Sequence, residues 1–242
     1  MAHADVRAAA TGRRWGAISE WTPARQAGVL GVIFVVSYLL VFFLLPGVPP
    51  EVDAPASEMR GYLADNRTLV LAHIVLVGLV FGMLFPAFAV GLYRATAAGE
   101  ASAWRLLVVI GALVIMAVTM AGGGVFMLAG AFLVPTGLSD EAARVLVSAD
   151  LLAYSVLAPW GFALFALAGA MALRGAALIP AWLWAAGLVV SLLLPVGSTW
   201  VFGDPTGPVA FVSFAGILLW AAWVLAASVF MTRAAVTGAP GR

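Results

Sequence analysis

Apolar positions in this chain come in long runs, with neither the alternation of a half-buried strand nor the single stripe of a surface helix. Six runs recur between short polar stretches: Ala27 to Leu45, Thr68 to Tyr93, Leu106 to Val134, Leu151 to Leu173, Ala181 to Phe202 and Val209 to Met231. A helix crosses a bilayer with about 20 predominantly apolar residues, so each run predicts a span. Backbone groups in lipid must be satisfied within the chain, and unalternating runs exclude barrel strands. The expected fold is therefore all-α, a polytopic transmembrane helical bundle of six spans. The spans occupy residues 27–232, between tails at 1–26 and 233–242.

The breaks are also readable. Pro46-Gly47-Val48-Pro49-Pro50 stops the first span, since a helix cannot run through those prolines. In the loop that follows, Met59, Tyr62 and Leu63 stand at helical spacing and predict a short helix lying on the membrane surface. Ser139-Asp140-Glu141 is an N-cap followed by first-turn acids, with Ala142, Val145, Leu146 and Ala149 behind it. The fourth span is thus expected to begin early, as an amphipathic turn or two. Ala54-Pro55-Ala56 lies too far past the first run for a signal cleavage site, so that span is expected to be retained. Before it, Trp15, Ile18 and Trp21 beside Arg13 and Arg14 suit either an interfacial segment or a plain tail.

Charge sets the orientation. Nine arginines (Arg7, Arg13, Arg14, Arg25, Arg94, Arg105, Arg174, Arg233, Arg242) fall on one side of this layout; Arg60, Arg67 and Arg144 fall on the other. Basic loops stay inside, so both termini are expected in the cytoplasm and the protein in the cytoplasmic membrane. Trp104, Trp182 and Trp184 near that face, and Trp200 near the opposite one, suit interfacial belts.

Composition agrees and narrows the chemistry. Of 242 residues, 64% are hydrophobic and 10% charged, and the net charge is only +1, which argues against a nucleic-acid partner. There is no cysteine, which removes disulfides, thiol catalysis and thiolate metal sites. No His-Glu-x-x-His, Gly-x-Ser-x-Gly or intramembrane Asp pair is present, so neither an enzyme nor a cofactor is expected.

Few residues within the spans carry chemistry. His73 lies a few residues in from the outer end of span two. Asp150 lies near the outer end of span four, with Tyr154 one turn below on the same face. If spans two and four are neighbours, these residues form a polar outer vestibule for a ligand; the plainer alternative is an interfacial histidine bonded to a headgroup or water. Pro86, Pro159 and Pro195 should each bend a span, either as packing kinks or as openings. Beyond the Pro195 bend, Ser191, Ser198 and Thr199 are candidates to line a cavity. Gly78 and Gly82 form a GxxxG, and Gly122, Gly123 and Gly124 sit inside span three. Both sets are expected to cement helix packing within the bundle.

The chain resembles a family of bacterial, actinobacterial-type integral membrane proteins of unknown function. The likeness rests on Arg25-Gln26-Ala27-Gly28 entering span one, Gly91-Leu92-Tyr93-Arg94 closing span two and Leu178-Ile179-Pro180-Ala181-Trp182-Leu183 opening span five. It covers most of Arg25 to Arg233, implies a six-span bundle and imports no site residue. Two functional expectations follow from the residues. The first is a non-enzymatic accessory or scaffold subunit, touching membrane lipids and another membrane protein or itself through small-residue faces. The alternative is a small transporter or binding protein for an apolar or zwitterionic molecule or lipid.

Overall fold

The computed structural model describes residues 21–43, 50–51, 53–99, 102–199 and 208–237. Among these residues every regular element is a helix: α1 (Pro23–Phe43), α2 (Ala56–Asp65), α3 (Arg67–Ala95), α4 (Ser102–Thr136), α5 (Asp140–Gly175), α6 (Ala181–Ser198) and α7 (Pro208–Thr237). Six are long and apolar enough to cross a membrane, α2 being the exception. The all-α expectation is met. The segment around Trp15 and Ile18, the Pro46–Pro49 breaker, and Trp200 with the end of the fifth run lie outside the described residues.

Local chemistry explains where the helices stop. Ser139 is extended and its Oγ accepts from the Ala142 N–H, so α5 does begin at Asp140, with Asp140 and Glu141 against its positive end. Gly137, at φ +96°, closes α4: Leu138 N–H reaches Leu133 O at 3.2 Å and Gly137 N–H reaches Val134 O at 3.3 Å. That double closure satisfies two terminal carbonyls and needs a left-handed residue. The same closure ends α5, with Leu178 N–H on Leu173 O at 3.0 Å, but there the left-handed position is Ala177 at φ +54°.

The six long helices close a ring in the order α1, α3, α4, α5, α6, α7, with α7 packing back on α1. Its interior is aromatic. Phe34, Phe85, Phe162, Phe165 and Trp220 are fully buried, with ring centroids 4.5 Å apart for Phe162–Trp220, 4.8 Å for Phe34–Phe85 and 5.0 Å for Phe85–Phe165. Trp223 is buried too, its indole N–H donating to Leu183 O at 3.0 Å. Packing is tightest where glycine removes the side chain. A Cβ at Gly28 would stand 2.5 Å from Ser228 O on α7, and one at Gly111 would stand 3.0 Å from the Phe165 backbone nitrogen.

Gly78 and Gly82 correct the expected packing. Among the described residues a Cβ at Gly82 would meet nothing within 4 Å, and one at Gly78 only Met120 Cε at 3.8 Å, so this GxxxG does not cement the described bundle. Gly124 likewise meets only Thr119 O, five residues back in its own helix. Gly122 and Gly123 sit with it in a widened turn of α4, and their surroundings lie outside the described residues.

The helices differ in length, and that difference builds a second layer. The 21 residues of α1 and 18 of α6 span about 32 and 27 Å at roughly 1.5 Å per residue. The 35 of α4 and 36 of α5 reach about 53 Å, well past the roughly 30 Å of a hydrocarbon layer. At the acidic end the overhang of α3, α4 and α5 is joined by α2 around a separate core of Met59, Leu63, Val70, Met127, Ala131, Ala143 and Val147. The α2 helix therefore sits where its periodicity places it, but its apolar face rests on protein, not on a membrane surface. Burial of Met59 and Leu63 to 0% exposure favours this by roughly 1.5–3 kcal/mol each. Two arginines pin the layer to the last turns of α4 and the link beyond it: Arg67 Nε donates to Ala131 O at 2.9 Å and Arg60 Nε to Leu138 O at 2.8 Å.

Candidate functional site: a cavity between two cores

Three of the long helices are not regular. Each contains one turn in which the backbone bond reaches five residues back: Phe85 N–H to Val80 O in α3, Val125 N–H to Met120 O in α4 and Ala158 N–H to Ala153 O in α5. In α3 and α5 the next residue is a proline, Pro86 or Pro159. A proline inside a helix has no N–H to give and its ring collides with the carbonyl four residues back. The widened π turn absorbs that defect and rotates everything beyond it. In α4 the same turn contains the three glycines. By contrast, α6 carries Pro195 within its α-helix and has no such turn.

The three π turns surround one space. A cavity of about 220 Å³ lies between the aromatic core and the smaller core at the acidic end, walled by α1, α2, α3, α4 and α5. Phe81 and Tyr154, from two of the π turns, and Thr119, from the third, line its deeper part. Tyr38 from α1 completes that floor, its hydroxyl 3.2 Å from the Tyr154 hydroxyl. Thr119 keeps its hydroxyl on Ile115 O at 2.7 Å and so presents its methyl side. Val41, Val70, Ile74, Val77 and Met127 make the remaining wall apolar.

Polar groups gather at the acidic end of this space. His73 on α3 and Asp150 and Tyr154 on α5 all line it, so the three vestibule candidates are brought together. Tyr62 joins them from α2. The Tyr62 hydroxyl and His73 Nδ1 are buried without a hydrogen-bond partner, and Asp150 finds no hydrogen bond or ion pair among the described residues. Each unsatisfied buried group costs about 1–3 kcal/mol, more for a charged one. Burial, and then the neighbouring Asp150 carboxylate, push the Tyr62 hydroxyl up to about 12, so at neutral pH it remains a donor.

The other three candidates belong elsewhere. Ser191, Ser198 and Thr199 turn their hydroxyls back onto α6, each at 2.7 Å, on Leu188 O, Pro195 O and Val196 O. None lines the cavity that holds His73. Ser191 and Pro195 border a separate shallow apolar groove beside Trp160 and Leu192. Conversely, Tyr38 was not marked by sequence reasoning. Its one signal is a hydroxyl-bearing ring within an apolar run, one turn beyond Phe34.

A polar recess in an apolar cavity can bind and orient a small amphipathic molecule. Ser155, His73 and Asp150 share this cavity, but no hydrogen bond joins them among the described residues, and no group of three or more His, Asp or Glu there could hold a metal ion. No known family model, curated protein or solved structure matches the chain.

Proposed function

We propose that this chain is a non-enzymatic multi-pass protein of the cytoplasmic membrane that binds a small, mostly apolar molecule carrying one polar group. The cavity is the observation that carries this reading: about 220 Å³ of largely apolar space with the unpartnered Tyr62 hydroxyl and His73 Nδ1 and the half-buried Asp150 carboxylate at one end. That volume lies below the roughly 300–1,000 Å³ of drug-sized sites, so the occupant is one ring or a short chain. The bias of arginines, nine against three, supports cytoplasmic termini and with them a cavity in the outer half of the bundle.

Native mass spectrometry of protein extracted from its own membrane tests this. A defined small molecule should accompany the wild type, and Val77→Trp, which fills the cavity from α3, should release it. Equal occupancy in both proteins would contradict the assignment.

A second reading, an accessory subunit, is favoured by one feature. Gly78 and Gly82 offer a close-approach motif that no described helix packs tightly against. Gly82→Leu should leave the isolated protein stable but dissociate it from any partner that copurifies; a complex that survives the change removes this support.

A further inference from the structure

The charge balance of the cavity says more about its occupant. Asp150 contributes a carboxylate to a space otherwise walled by aliphatic, aromatic and neutral polar side chains. A carboxylate drawn partly out of bulk water favours a cation beside it, and among the described residues Asp150 has neither an ion pair nor a hydrogen bond. The arginines at the same end are engaged or remote: Arg60 lies on Leu138 O and Asp140, Arg67 lies on Ala131 O, and Arg144 is exposed. Among the described residues His73 is the one basic group lining the cavity, and it has no partner at Nδ1.

Around that carboxylate stand electron-rich rings. Tyr62 faces it from α2 and Tyr154 lies one turn below it, with Tyr38 and Phe81 deeper, their rings 5.6 Å apart and edge-to-face. Aromatic faces attract an organic cation, and the more so once water is excluded. An anion would meet Asp150, with His73 alone to offset it. A neutral molecule would leave its charge unanswered.

We propose that the cavity takes a small organic ammonium: the charged nitrogen between Asp150, Tyr62 and His73, and the apolar body directed down toward Tyr38 and Phe81. This rests on the ligand-binding reading above and adds the charge of the ligand. The ammonium has two natural sources, a free lipophilic amine or the headgroup of an aminophospholipid, and the same chemistry serves both.

Three probes with one skeleton test it: phenylbutylamine, phenylbutanol and phenylbutyrate, titrated into the full-length protein in dodecyl maltoside, an uncharged detergent. The amine should bind at least tenfold more tightly than the alcohol, and the carboxylate should not bind. Asp150→Asn should bring amine and alcohol to within about twofold. Equal binding of amine and alcohol by the wild type would overturn the cation assignment while leaving the ligand-binding reading intact. Failure of all three to bind would remove both. The wild-type comparison stands even if Asp150→Asn misfolds, and Tyr62→Phe, which deletes one oxygen, provides a milder variant expected to weaken the amine selectively. Adding phosphatidylethanolamine to the micelles separates the sources. Competition with the amine identifies the headgroup, and unchanged affinity identifies a free amine.

Discussion

At the scale of single residues, two positions make opposite predictions about stability. The hydroxyls of Tyr38 and Tyr154 are 3.2 Å apart where five helices meet, and either one alone would be left without its partner. Tyr38→Phe and Tyr154→Phe should each destabilise the fold by about 1–2 kcal/mol, and the double variant by less than their sum. Denaturant titration of the purified protein reads all three; strict additivity would mean that the two hydroxyls do not interact. Ala177 is the converse case. It holds a left-handed conformation, φ +54°, that costs a side-chain-bearing residue about 1–2 kcal/mol and glycine almost nothing. Ala177→Gly should raise the melting temperature, and an unchanged or lower value would contradict the closure described for α5. Neither effect is legible in sequence. Nothing about Ala177 marks it as left-handed, and Tyr38 reads as one more apolar position until Tyr154 is known to face it.

At the scale of elements, the apolar runs made helix existence plain because length and hydropathy suffice for it. What they could not convey is the interruption of α3, α4 and α5 by a wide turn. Pro86 and Pro159 signalled a defect, yet Pro195 carries the same signal and α6 has no such turn. Pro195 stands three residues from the end of α6, whereas Pro86 and Pro159 lie well inside their spans. The glycines teach the same lesson. Gly78 and Gly82 match a packing motif and meet almost nothing, whereas Gly111 belongs to no noted pattern and lies against the Phe165 backbone. Gly111→Leu should therefore prevent folding, and Gly82→Leu should shift stability by no more than about 0.5 kcal/mol. Comparable melting curves for the two would refute this ranking.

At the scale of the whole molecule, ring closure and unequal helix length divide the bundle into a large aromatic core and a smaller core at the acidic end. The cavity occupies the junction. Part of the candidate site was legible: Asp150 and Tyr154 share a helix face, and His73 a similar depth on another span, both of which sequence numbering supplies. Tyr62 was visible as part of an amphipathic helix, but not that this helix would fold over onto α4 and α5. Orientation remains a matter of charge, and a chain without cysteine makes it easy to read. In intact cells a membrane-impermeant maleimide should label Glu141→Cys, and Arg174→Cys only after permeabilisation. The reverse pattern would turn the cavity toward the cytoplasm.

The same absence of cysteine permits the most direct test of the central claim, that the space between the two cores receives a small ligand. Ser155 lines the cavity from the π turn of α5. The measurement is the rate at which Ser155→Cys reacts with methyl methanethiosulfonate in the folded protein, with and without phenylbutylamine. Reaction that the amine slows at least tenfold is the predicted result. A thiol that never reacts, or one that reacts at the same rate with the amine present, would contradict it.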